Sequence, residues 1–181
     1  KRKNQESPRR RPVRNKKKHL ILNPISMLVI GLLIGFVVKQ IDIRLYVQHF
    51  GVSLSDIFSQ AGIWVVLGVA ISLYSPSRKY AMLNVFTFCA GMLITYYVTA
   101  ELTHSVYSWT YIRGWAIFAC CSPLLAFLVT LTKDKGFWPA IIKFGILAGY
   151  LVMNMLLGGF LKIYDLAFLA ILVYLLFFKK F

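Results

Sequence analysis

Glu101 and His104 stand one helical turn apart, with Arg113 a short way beyond, and Asp56 and Gln60 are likewise separated by one turn. A carboxylate, an imidazole and a guanidinium at the mouth of an apolar body have the chemistry to coordinate a cation, relay a proton or bind a polar solute. Each also has a plainer use. Glu101 and Arg113 can form an interfacial ion pair, and Asp56 closes Ser53-Leu-Ser-Asp56, a pattern that opens a helix: a serine hydroxyl accepts an orphan N–H and the acid lies near the positive end of the dipole. Asp56, Gln60, Glu101, His104 and Arg113 are the candidate polar site. Lys143 falls about two turns inside an apolar run, close enough for its ammonium to reach the headgroups. Asn84, Thr87 and Asn154 suit hydrogen bonds between helices.

Catalytic and metal signatures are missing. The chain has no HExxH, no GxSxG, no phosphate loop and no paired intramembrane aspartates, and His19, His49 and His104 lie in three different regions. Cys89, Cys120 and Cys121 fall in apolar runs without metal-type spacing, as ordinary buried thiols do. The reading is a protein without evident enzymatic chemistry, metal or cofactor.

The elements that must carry these residues are set by composition. With 59% hydrophobic and 15% charged residues, a chain of 181 residues has too little polar surface to cover a domain in water. A bilayer is the expected solvent, and the expected fold is all-α, a polytopic transmembrane bundle. A span takes about 20 apolar residues. Punctuation by Lys39, by Ser75-Pro-Ser-Arg-Lys79 and by Lys133-Asp-Lys-Gly136 divides the chain into about six, at residues 20–38, 57–74, 80–100, 114–132, 137–157 and 163–178. The last is short. Between the first two, Ile43, Val47, Phe50 and Leu54 recur at helical spacing, which predicts an amphipathic segment at the outer interface over 43–54.

Charge orients the bundle. Residues 1–19 form a polybasic tail with two prolines and no apolar periodicity, expected to be disordered. Six spans place sixteen Lys and Arg on the tail's side and four (Lys39, Arg44, Arg113 and Lys162) on the other. By the positive-inside rule both termini are cytoplasmic and the bundle sits in a plasma membrane. The expected partner of Arg9, Arg10, Arg11, Lys16, Lys17 and Lys18 is the anionic inner leaflet, at about 1 kcal/mol per cation near the surface. Nucleic acid is disfavoured, since the tail has no aromatic stacking residues.

Two GxxxG patterns, Gly31/Gly35 and Gly145/Gly149, predict faces where helix backbones approach closely, within the bundle or against a membrane-protein partner or second copy. Pro123, behind Ser122, is expected to kink the fourth span. Gln60-Ala-Gly-Ile-Trp64, Ser75-Pro-Ser-Arg78 and Tyr96-Tyr97 resemble a family of small multi-span bacterial membrane proteins of uncharacterised function. The likeness covers residues 57–132; it implies a bacterial plasma membrane and carries over no functional residue. Two classes of function remain in view: a small transporter or membrane subunit of a transport complex, and a non-catalytic scaffold or regulator binding other membrane proteins and anionic lipid. A polar cavity reaching the midplane favours the first; a solidly packed bundle with an apolar open face favours the second.

Overall fold

The computed structural model describes residues 22–44, 57–58, 60–105, 108–134, 136–158 and 161–179. The basic tail with Arg9–Arg11 and Lys16–Lys18, most of the segment 43–54, and Asp56 lie outside the described residues.

The described residues form six helices and no strand: α1 (Pro24–Arg44), α2 (Ala61–Tyr74), α3 (Arg78–Leu102), α4 (Trp109–Leu131), α5 (Phe137–Gly158) and α6 (Ile163–Val173), the last running into a π turn at Tyr174–Phe178. The fold is all-α. Helices α1, α3, α4 and α5 are long and apolar enough to cross a membrane. The 14 residues of α2 span only about 21 Å at 1.5 Å per residue.

Local chemistry explains where these helices start. At α1 the Asn23 side chain accepts the Ser26 N–H at 2.8 Å, and Pro24 occupies the first helical position, where no N–H is required. Ser77 does the same for α3, accepting from the Tyr80 N–H at 3.4 Å. Ser75 closes α2 by donating both its N–H (3.0 Å) and its hydroxyl (2.7 Å) to the Ile71 carbonyl.

Two boundaries depart from the sequence reading. Lys39 does not end the first helix; α1 continues to Arg44 because the Lys39 charge is balanced within the bundle. Helix α4 begins a turn earlier than expected, at Trp109, so Arg113 belongs to the helix rather than to the loop before it.

Helices α1 and α3 run parallel and in register. Gly31 faces Phe88 and Gly35 faces Met92, each so close that a methyl at the glycine would collide with the opposing backbone carbonyl. Gly91 returns the approach, with a Cβ there falling 2.7 Å from the Leu28 carbonyl oxygen. The three glycines therefore set the separation of the two backbones.

Pro123 lies inside α4 and has no N–H to offer Ala119, four residues back. The Ser122 hydroxyl donates to that carbonyl at 2.7 Å and replaces the missing bond, so the helix passes through the proline as one element.

Apolar packing divides into two clusters that share α2 and α4. One joins Met27 and Val38 of α1 to Trp64, Phe88, Met92 and Ala126. The other joins Val66, Val69 and Leu73 of α2 to Val129, Tyr150, Leu172 and Leu176. The short helix α2 is thus central, touching α3, α4, α5 and α6.

Connections gather at one end of the bundle. Asn84 Nδ2 donates to the Leu22 carbonyl (3.2 Å) and Ser75 Oγ (3.0 Å), Lys133 Nζ donates to the Ser75 carbonyl (3.3 Å), and Arg78 pairs with Asp134 at 2.8 Å. Lys179 adds its ammonium over the Tyr74 ring, 4.4 Å from the centroid. This basic end holds the start of α1, the α2–α3 and α4–α5 turns, and the close of the π turn.

Candidate functional site

At the opposite end, the polar residues singled out by spacing remain apart from one another. Gln60 is the half-buried residue before α2 and makes no side-chain cap. Glu101 and His104 are exposed at the close of α3, where His104 adopts a left-handed backbone (φ 49°) and its N–H bonds the Glu101 carbonyl at 3.1 Å. Arg113 is exposed in the first turns of α4. Among the described residues Lys39 pairs with Asp42 and Arg78 with Asp134.

Two other polar groups are built into the packed body. The first is at the α1–α3 contact. Lys39, 1% exposed, pairs with Asp42 at 3.0 Å and sits over the Tyr96 ring at 4.7 Å, while the Tyr96 hydroxyl donates to the same Asp42 oxygen at 2.9 Å. The aromatic face and the carboxylate together balance one buried ammonium.

The second joins α2, α5 and α6 and is the candidate site. Tyr150 and Asn154 are one turn apart on α5 and Asp165 lies in the first turn of α6; all three are at most 2% exposed. They meet at Gly62 of α2, where an added Cβ would lie 3.1 Å from Tyr150 Oη and 3.4 Å from both Asn154 Oδ1 and Asp165 Oδ1. Two of the group's donors are turned toward backbone carbonyls. The Tyr150 hydroxyl donates to the Asp165 carbonyl (2.9 Å), and Asn154 Nδ2 donates to the Tyr150 carbonyl (2.9 Å), which turns its oxygen the other way. Asp165 Oδ2 accepts the Lys162 N–H at 2.9 Å and caps α6. Asn154 Oδ1 and Asp165 Oδ1 are buried acceptors without a hydrogen-bond donor.

The arrangement offers no nucleophile beside a base, and the described residues contain no group of three His, Cys, Asp or Glu that could hold a metal ion. Its capacity is to receive positive charge or donated hydrogens. Sequence reading placed Asn154 among the interhelical hydrogen-bonding groups and did not single out Tyr150 or Asp165. The i, i+4 spacing of Tyr150 and Asn154 was the available signal for a shared face, and Gly62 carried none.

Two cavities are apolar. A void of about 10 Å³ lies among Trp64, Phe88, Met92, Trp115 and Phe118, and an open groove of about 290 Å³ lies among Leu33, Val37, Phe58, Trp64 and Leu67. The two GxxxG pairs differ: Gly31 and Gly35 are consumed by α3, whereas a Cβ at Gly145 or Gly149 would meet nothing within 4 Å. Comparison with protein-family models, curated proteins and solved structures finds no match.

Proposed function

We propose that this chain is a six-span protein of a bacterial plasma membrane, with both termini cytoplasmic, that works without catalysis as a scaffold or subunit for a second membrane-embedded protein. The observation that carries the reading is the open glycine face of α5. A GxxxG face lets another backbone approach closely. The one on α1 is occupied by α3, and the one on α5 is left open along a helix that also exposes Phe144, Val152 and Met155. The apolar lining of both cavities speaks for a packed body over a solute path. Six crossings are supported by the parallel course of α2 and α6, which start together at Gly62 and Asp165 and finish together at Tyr74 and Lys179. The basic tail serves as a contact to anionic lipid and as the topological anchor.

A transport role is the second reading, favoured by one observation: a buried carboxylate in an apolar body, where ionisable groups are expensive and usually serve function. A photo-crosslinking residue at position 149, compared with one at lipid-facing Leu33, separates the readings. In native membranes position 149 should give one discrete protein adduct and position 33 only lipid adducts. Lipid adducts alone at position 149 would remove the scaffold reading. A protein adduct that is the chain itself would identify a homo-oligomer.

A further inference from the structure

We propose that Asp165, Asn154 and Tyr150, against Gly62, form a binding site for a monovalent alkali cation. Three oxygens from two helices approach one point beside the Gly62 Cα, at 3.1, 3.4 and 3.4 Å from the position a Cβ would take. Asn154 Oδ1 and Asp165 Oδ1 receive no hydrogen bond, while the Tyr150 proton goes to the Asp165 carbonyl and one Asn154 N–H to the Tyr150 carbonyl. Acceptors facing acceptors in a buried place repel unless a cation or a donated hydrogen lies between them, and the cation dependence of unfolding separates the two.

Among the described residues no side chain supplies that charge. No Lys, Arg or His nitrogen of the described residues comes within 4 Å of the Asp165 carboxylate, and the Lys162 ammonium lies over the Tyr164 ring, 5.6 Å from its centroid. Reversing the Asn154 amide would aim its nitrogen at Asp165 but would set its oxygen against the Tyr150 carbonyl, now 2.9 Å from Nδ2.

Ligand type and charge identify the class of ion. Carboxylate, amide and phenol oxygens are hard donors, without the imidazole or thiolate that select transition metals. One carboxylate supplies one negative charge, which a single monovalent ion neutralises, whereas calcium sites typically recruit several carboxylates. The first turn of α6 holds Asp165 in place, its Oδ2 accepting the Lys162 N–H. Gly62 completes the site by leaving space: a methyl there would turn an apolar surface toward all three oxygens. The ion would join α2, α5 and α6 at the end where two short helices begin, and this holds whether the chain is a scaffold or a transporter.

The test uses the full chain in mild detergent, with thermal unfolding followed at constant ionic strength while sodium or potassium chloride replaces choline chloride. The expected result is a saturable rise in Tm with one of the alkali ions and none with choline, with radioactive sodium or rubidium binding at one ion per chain. Asp165→Asn, Asn154→Leu and Gly62→Ala should each abolish the cation-dependent part of the shift, while Asp42→Asn, at the other buried polar group, should leave it intact. A Tm that depends only on ionic strength, or a saturable shift that survives Asn154→Leu and Gly62→Ala, would overturn the site. If Asp165→Asn does not fold, the ion stoichiometry of the unaltered chain and the other two variants still decide. A bridging water in place of the ion predicts the cation-independent result. The position-149 crosslink reports on docking separately, so either result stands without the other.

Discussion

Lys39 shows how one side chain alters the reading of a helix. In sequence it is a cation after nineteen mainly apolar residues, and such a residue ordinarily marks the edge of hydrocarbon. In the folded chain it is 1% exposed, while its partner Asp42 retains 33% exposure. The two halves of the pair therefore should not be equally costly to lose. Asp42→Ala leaves a buried ammonium with only the Tyr96 ring, a loss of about 3–5 kcal/mol. Lys39→Met leaves a carboxylate that water can reach and preserves side-chain volume, so it should cost well under half as much. The double variant should recover most of the Asp42→Ala loss. Chemical unfolding of the four proteins in detergent measures the cycle, and simple additivity would show that the pair is not coupled.

At the scale of elements, the same four-residue glycine spacing has two outcomes. Gly31 and Gly35 allow α1 to lie backbone to backbone on α3, a contact aided by Gly91 from the other side. Gly145 and Gly149 leave open space. Alanine at Gly31 or Gly35 must push two rigid backbones apart, which should cost about 1–3 kcal/mol at each site. Alanine at Gly145 or Gly149 should change stability by no more than about 0.5 kcal/mol. Equal losses at both pairs, measured by denaturant unfolding, would mean that α5 is also packed through its glycines. Ser122 illustrates another local solution, since its hydroxyl takes over the bond that Pro123 cannot make.

At the scale of the whole molecule, charged side chains gather at the two ends of the bundle. Arg78, Lys133 and Lys179 collect at the end where α1 begins, and Asp42 and Asp165 lie toward the other. The Arg78–Asp134 pair there is about half exposed, so it contributes little to stability; in the proposed topology these cations set sidedness. With the three native cysteines replaced by alanine, single cysteines at Thr103 and Lys162 should react with an impermeant maleimide in intact cells. Cysteines at Ser77 and Asp134 should react only after the membrane is opened. Labelling of Lys162→Cys from the same side as Ser77→Cys would reduce the crossings below six.

Composition and punctuation were enough to specify an all-α apolar bundle and the order of its helices. Those properties follow from short-range facts: a run of apolar residues needs its backbone bonds satisfied within a helix, and clusters of Pro, Ser, Gly and charged residues, at 75–79 and 133–136, break the run. The glycine pairs were equally visible, but which one was inside was not, because the spacing is the same and only the neighbour differs. Lys39 was misread for the same reason, its partner ring at Tyr96 being 57 residues away. The oxygen cluster is the clearest case. Gly62, Tyr150, Asn154 and Asp165 are unremarkable one at a time, and two of them have ordinary local roles as a helix cap and a helical hydrogen-bond donor. Their meeting depends on α2 packing against both α5 and α6, an arrangement made by long-range packing, which local periodicity does not encode.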